Sequence, residues 1–309
     1  MDLDYPLNSL GSLPQAPLSA AIASTEDYAV CRQIMRCASK NYSKASKYLP
    51  AEKLPYVEAL YALMRVGDDR VDVSHTGFGS SLEAIDDWEI TYWQAFDRGT
   101  SSHPVMRAYL DTALKFDIPS ETMAAYFRVM REDLTITRFP TFMDLLCYMN
   151  GSSIPAGRAM TYILGTRSGI SRDEALHGAD CLSIAMQLSN FWRDIGSDWG
   201  LGRVYIPQED MKRFDYNESD LAASRINPRL IDLLEFEFKR TEDYYGIARQ
   251  SVKLLASGNW AVMSALEFYR DILASIRRNH YDVFNKRAGP GYVRKIGLAL
   301  KSYGYIWKS

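Results

Sequence analysis

The chain has 309 residues, 47% hydrophobic and 24% charged, with a formal net charge of −2. That length suits one large or two ordinary domains, the composition excludes a disordered chain, and the near-balanced charge gives no electrostatic reason to expect nucleic acid. Cys31, Cys37, Cys147 and Cys181 show no metal spacing and fit reduced thiols, and neither a signal peptide nor a membrane-length apolar run is present, so a cytoplasmic location is expected, with contact to a membrane only at its surface.

Residues 1–24, with Pro6, Gly11, Pro14 and Pro17, read as an irregular leader, and residues 25–309 as one all-helical domain. Ser24, Thr25, Glu26 and Asp27 start a helix that runs to about Tyr48. Within it Ser39, Lys40 and Asn41 offer donors to phosphate oxygens, or form an ordinary solvated helix face. Lys53, Leu54 and Pro55 open the next helix, whose apolar run from Val57 leads into Arg65, Asp68 and Asp72. Residues 74–79 are a loop, and helices follow over 81–96, 104–116 and 120–132. Arg131, Glu132 and Asp133 either add charge near a site or form an exposed helix end. After an apolar helix over 141–150, Pro155, Gly151 and Gly157 predict a kink or break that makes room for a ligand. A long helix over 172–192 carries Gln187 and Asn190 into Arg193, Asp194 and Asp198; residues 200–210 are a loop; and long helices span 230–256 and 260–281. A basic cluster of Lys286 and Arg287 complements a helix C-terminus or contacts phosphate.

No strand-period segment, repeat, P-loop or serine elbow appears, and the four histidines lack ligand spacing. The informative feature is a pair of acidic helix faces. Asn190, Asp194 and Asp198 recur every fourth residue, as do Asp68 and Asp72, and that spacing stacks side chains on one face. Each set grows from an apolar helix and is accompanied by an arginine, Arg65 or Arg193. One such set is an ordinary helix surface; two suit Mg²⁺, which takes one or two carboxylates and completes its shell with water and substrate phosphate. The chemistry is then ionisation of an allylic diphosphate, with apolar walls sheltering the cation and arginines receiving the leaving group.

These residues carry a resemblance. Ser39 to Tyr42, Tyr61 through Asp72, Gln187 through Asp198, Gly202 to Pro207, and Tyr269 through Tyr281 to Phe284 resemble the squalene/phytoene synthase family, the head-to-head isoprenoid condensing enzymes. The resemblance implies an isoprenoid-synthase helical bundle with a central cavity, two prenyl diphosphate substrates, and a Mg²⁺ site in which Mn²⁺ can substitute. NADPH is not favoured as a cofactor. It implies metal binding by Asp68, Asp72, Asn190, Asp194 and Asp198, catalytic roles for the four aspartates and Arg65, and diphosphate contacts from Ser39, Lys40, Asn41, Tyr61, Arg65, Gln187, Arg193, Tyr269 and Lys286. Departures exist: Ala38 and Asn41 replace the family's usual histidine and serine. Pro155, Gly157 and Arg158 look like the squalene-forming bacterial branch, whereas Arg193 and the Tyr281 to Phe284 run look like phytoene synthases. The expected reaction is condensation of two geranylgeranyl diphosphates to phytoene. The alternatives are farnesyl diphosphate to squalene, dehydrosqualene or hydroxysqualene, a terpene cyclase or chain elongase, and a non-catalytic assembly factor. Peripheral membrane association would serve release of so apolar a product.

Overall fold

The computed structural model describes residues 22–38, 48–72 and 77–307, without the side chains of Asp72 and Trp307. The proposed diphosphate contacts Ser39, Lys40 and Asn41 lie outside the described residues, as does residues 1–21 of the leader. Every named element is helical; among the described residues the only β features are two isolated bridges, Arg138 with Val204 and Thr166 with Leu255. No described helix is long and apolar enough to cross a membrane. The chain divides into two compact units, Met1–Thr135 and Ile136–Ser309.

The first unit holds α1 (Thr25–Ala38), α2 (Leu54–Asp72), α3 (Ser81–Arg98), α4 (Pro104–Lys115), a 3-10 turn (Ser120–Met123) and α5 (Ala124–Glu132). Helix α2 is its hub, packed on by α1, α3, α4 and α5. The cause is its apolar spacing: Ala59, Leu60, Ala62, Leu63 and Val66 are all buried. Trp88 of α3, fully buried, donates its indole N–H to the Leu63 carbonyl at 3.1 Å. Arg70 of α2 lies over the Phe78 and Trp88 rings and bonds Asp87 at 2.6 Å, so this charge of the acidic motif is structural. Arg131 pairs with Asp86 and Glu89 of α3, and Glu132 with Arg128, so both belong to packing and surface pairing.

The second unit holds α6 (Phe142–Ser152), α7 (Ile154–Leu164), α8 (Arg172–Arg193), α9 (Ile195–Gly200), α10 (Gln208–Arg213), α11 (Glu218–Ala222), α12 (Pro228–Ser251), a 3-10 turn (Val252–Leu254), α13 (Asn259–Arg278) and α14 (Tyr292–Trp307). Helix α8 is the hub here, against α6, α7, α12 and α13. Two buried polar links fix it to α12: Trp192 donates to Thr241 Oγ1 at 2.9 Å, and the Ser189 and Tyr245 hydroxyls meet at 2.8 Å. The break anticipated after residue 150 is present at Ser153, with Pro155 in the first turn of α7. Gly157 leaves no open space, however. A Cβ on Gly157 would stand 2.1 Å from Ser183 Oγ, so this glycine lets α7 and α8 approach, and Arg158 seals the crossing by pairing with Asp180 at 2.7 and 2.8 Å. The segment read as a loop over 200–210 turns into α10 at Gln208, and α14 arises where no helix was expected.

Candidate active site

The first acidic face is the C-terminal half of α2. The Tyr126 hydroxyl of α5, fully buried, donates to the Met64 carbonyl at 2.7 Å and to Asp68 Oδ1 at 3.3 Å. Burial, then the charge and hydrogen bond of Asp68, push this phenol well above its ordinary range, so it acts as a fixed donor. Gly67 makes the contact sterically allowed: a Cβ there would lie 2.1 Å from Tyr126 Oη. Arg65 pairs one turn ahead with Asp69 rather than with Asp68, and its Nε is enclosed with no acceptor among the described residues. Tyr61 is half-buried one turn before Arg65 on α2, and α2 continues through Asp72, so the backbone carries both acids of the motif.

The second face runs along α8 into α9. Gln187, Asn190, Arg193, Asp194 and Asp198 are half-buried, while Ile184, Ala185, Leu188, Phe191 and Trp192 between them are buried, as the apolar run implied. Asp194 leaves helical geometry, with φ −102° and ψ 14°, and separates the two helices. Its amide donates to the Asn190 carbonyl at 2.9 Å, and its own carbonyl accepts from Asp198 N at 2.8 Å, so the ladder is bent without being lost. Two guanidinium groups hold the Asp194 carboxylate. Arg193 makes a two-point contact, with Nε at 2.9 Å from Oδ1, and Arg287 approaches both oxygens at 3.2 and 3.5 Å. Burial alone would raise this carboxyl, but Arg193 and then Arg287 outweigh it and hold it below the usual carboxylate range. Asp198 goes the other way. Burial first, and the charge of Asp194 second, push it up to about 7 against the pull of Arg203, Arg193 and Arg287.

Two backbone features build this cluster. Gly196 donates its N–H to the Val283 carbonyl at 3.1 Å, and a Cβ there would lie 2.7 Å from Phe284 Cα and 2.9 Å from Val283 O. That close approach brings Arg287 to Asp194. Gly202, at φ +77°, reverses the chain so that Arg203 N reaches the Asp198 carbonyl at 2.8 Å. Beside the acids, Phe191 and Tyr205 stack at 4.0 Å between near-parallel rings, with Phe139 and Tyr148 against them. Tyr269 of α13 is half-buried near Tyr245, whose phenol is raised by burial first and whose hydroxyl meets Ser189 of α8.

The squalene/phytoene synthase sequence pattern matches residues 35–291. The chain belongs to the squalene/phytoene synthase family. Within this family it is 32% identical over 289 residues to a phytoene synthase of Arthrospira platensis, covering 89% of this chain and 92% of that one. It is 31% identical to a 15-cis-phytoene synthase of Synechococcus elongatus, covering 93% and 96%. Among solved structures, a dehydrosqualene synthase in complex with ligand superposes with a TM-score of 0.82 at 27% identity, covering 92% of this chain and 98% of that one. A squalene synthase from Alicyclobacillus acidocaldarius gives 0.76 at 28% identity, covering 83% and 95%. The all-helical fold expected from the family motifs is therefore the observed one.

The resemblance implies a diphosphate contact from Lys286. In the structure Lys286 is exposed near Asp282, and its neighbour Arg287 is the one that reaches Asp194. Tyr126, Gly67, Gly196 and Arg203 were not singled out for the site. Of these, Gly67, Gly196 and Arg203 stand inside the quoted motifs, whereas Tyr126 carries no local signal at all.

The donor set can be tested against a divalent cation. Among the described residues no three of His, Cys, Asp or Glu converge on one point, so neither unit offers an all-protein cage. Mg²⁺ needs none, since it binds through one or two carboxylates plus substrate phosphate. Asp198, pushed up by burial first and by the Asp194 charge second, is a carboxyl that a bound cation would help to ionise, and Asn190 adds a neutral oxygen. The residues fit.

Proposed function

We propose that this chain joins two molecules of geranylgeranyl diphosphate head to head and releases phytoene and diphosphate. The observation that carries the reading is the Asp194 cluster: a carboxylate held ionised by Arg193 and Arg287, one turn from a carboxyl that resists ionisation. Acids paired this way with guanidinium groups suit a diphosphate brought in with its metal. The phytoene synthases of two cyanobacteria, similar over about nine-tenths of the chain, support the choice of substrate.

Mg²⁺ would be held by Asp194, Asp198 and Asn190 in the second unit and, in the first, by the motif of Asp68 and Asp72, and would supply charge neutralisation of the leaving diphosphate. The residues of the chain do the rest. Arg193, Arg287 and Arg65 offer planar guanidinium donors to the diphosphate oxygens as the C–O bond breaks and its electron pair leaves with the phosphate. The double bond of the second substrate attacks the allylic cation, and proton loss gives a cyclopropylcarbinyl diphosphate. A second ionisation, rearrangement and proton loss complete the hydrocarbon. Ring faces such as those of Tyr148, Phe191 and Tyr205 stabilise positive charge and exclude water. Tyr126 fixes Asp68 so that its carboxylate does not rotate away between turnovers.

A second reading, farnesyl diphosphate to squalene, dehydrosqualene or hydroxysqualene, is favoured by the two solved structures. One assay separates the two. Purified chain and Mg²⁺ are incubated with each diphosphate, with and without NADPH, and the extract is analysed by mass spectrometry. The expected result is a C40 hydrocarbon from the C20 substrate without NADPH. A C30 product alone would move the assignment to the second reading. Turnover of neither substrate would favour a non-catalytic relative, although both acid sets are complete here.

A further inference from the structure

Helix α13 ends in a strained corner. His280 and Tyr281 both hold positive φ, at 56° and 58°. The other described non-glycine residues of this kind, Asp117, Asp215 and Ser224, stand singly and are small and polar. A tyrosine is ill suited to the left-handed region, because its Cβ crowds the following carbonyl. Two such residues in a row persist only where the surroundings hold them, and strain of that kind collects at functional sites.

The surroundings are specific. The Tyr281 amide donates to the Ile276 carbonyl at 2.9 Å and closes the helix end. Its hydroxyl donates to Glu235 Oε1 of α12 at 2.7 Å, and its ring lies near-parallel to that of Phe238 at 6.5 Å. Arg277 of α13 grips the same Glu235 carboxylate with Nε and Nη2, both at 2.7 Å, and lies 5.0 Å over Phe238. Tyr281 thereby ties the segment that leaves α13 back to α12.

That segment carries Arg287. Asp282 Oδ1 accepts from the amides of Phe284 and Asn285 at 3.3 and 3.0 Å, which folds the turn on itself. Val283 is buried and presents its carbonyl to Gly196, and Arg287 follows on Asp194. The Arg287 side chain is 75% exposed, and its contacts with Asp194, at 3.2 and 3.5 Å, are long. Packing therefore does not fix this guanidinium. Its aim comes from the main chain, and the corner aims the main chain.

We propose that Tyr281, latched on Glu235 and Arg277, is a positioning residue: it sets the direction in which the 282–287 turn leaves α13 and so delivers Arg287 to Asp194. The inference rests on the reading of the Asp194 cluster as a site for diphosphate with its metal. The Glu235 and Arg277 side chains are partly exposed, so losing the latch should leave global stability almost unchanged and act on Arg287 instead.

The test is a double-mutant cycle on the full chain: native, Tyr281→Phe, Arg287→Gln and the double variant. The readout is the dissociation constant of inorganic diphosphate in the presence of Mg²⁺, by titration calorimetry. Tyr281 stands one contact further out than Arg287, so Tyr281→Phe should weaken binding by about 3- to 10-fold, less than an outer partner of a ligand does. In the Arg287→Gln background the same change should cost less than about twofold, because the group it aims is gone. Glu235→Ala, which removes the acceptor of the latch, should reproduce the loss. Trypsin gives a readout free of ligand: cleavage after Lys286 and Arg287 should be at least about threefold faster in Tyr281→Phe, at an unchanged unfolding midpoint. No loss with Tyr281→Phe, or an equal loss with and without Arg287, would overturn the proposal. So would a native chain that does not bind diphosphate. A native chain that binds diphosphate but forms no hydrocarbon would refute the condensation reading alone, and the cycle would still decide the latch.

Discussion

Gly67→Ala is expected to destabilise the protein through Tyr126. An alanine at a helix interior position ordinarily gains about 1 kcal/mol over glycine. Here the new Cβ would stand 2.1 Å from Tyr126 Oη and 3.0 Å from Cζ, and the ring is fully buried, so it has no outward path. Forcing it aside costs about 1–3 kcal/mol of overpacking. The displaced hydroxyl also loses its bonds to Met64 O and Asp68, and an unsatisfied buried donor costs about 1–3 kcal/mol more. The net expectation is a loss of about 1–5 kcal/mol. Tyr126→Phe removes the atom that clashes, and the Met64 carbonyl keeps its helical partner, so this variant alone should cost only about 1 kcal/mol. In the double variant the nearest ring atom is about as far as Cζ now is, so part of the loss should return. Urea denaturation followed by circular dichroism on native, single and double variants gives the coupling energy, expected at about 1–3 kcal/mol in favour of the double variant. A Gly67→Ala protein as stable as the native one, or strictly additive losses, would refute the steric argument.

Other outcomes follow from the second unit and from a buried imidazole. Arg287→Gln should lower activity or apparent Mg²⁺ affinity by about 10- to 100-fold, as loss of an outer partner of a ligand does, whereas Lys286→Gln should change little; titrating Mg²⁺ in a turnover assay compares them. Gly196→Ala sets a Cβ against backbone atoms of Val283 and Phe284 that cannot rotate away, so about 1–3 kcal/mol of stability should go, read by thermal unfolding, with loss of activity as Arg287 is displaced. Asp68→Ala and Asp194→Ala should each abolish turnover while leaving the far-ultraviolet spectrum intact; unchanged product yield in either would count against the acidic faces. His103, edge-on to Trp88 at 4.7 Å, has its pKa lowered from 6.5 to about 4, by burial first and then by Arg70 and Arg107. The unfolded chain therefore takes up a proton that the folded one refuses. Stability is intact above pH 6.5 and falls as the pH drops toward 4, by up to about 3 kcal/mol. Denaturation at several pH values should show a shallower fall for His103→Gln.

Both acid-bearing helices are legible in sequence because two signals coincide there: an apolar period that buries one side, and acids four apart that share another. The partners of those acids are not legible. Tyr126 is 58 residues from Asp68 and Arg287 is 93 from Asp194, and neither separation carries a local pattern. Adjacent residues on a turn point apart, so choosing between Lys286 and Arg287 needed the backbone contact at Gly196. Gly157 misled for a related reason. A glycine beside a proline signals missing side-chain volume, but sequence does not say whether a ligand or another helix fills it, and here Ser183 does. Helix α14 was hidden by Gly297, Gly304 and a preceding Gly-Pro-Gly run, each unfavourable to helix, and tertiary packing on α13 overrides them.

The bend at Asp194 has a consequence for how this half-site can vary. A straight helix would tie Asn190, Asp194 and Asp198 into one rigid ruler, so any shift of one would shift all three. With one residue out of helical geometry, Asn190 travels with α8, whereas Asp198 and Arg203 travel with α9 and the turn at Gly202. The spacing between neutral and charged oxygens is then adjustable by a small rotation at a single residue, and the segment after Asp194 is the natural cassette to exchange when chimeras between relatives are built.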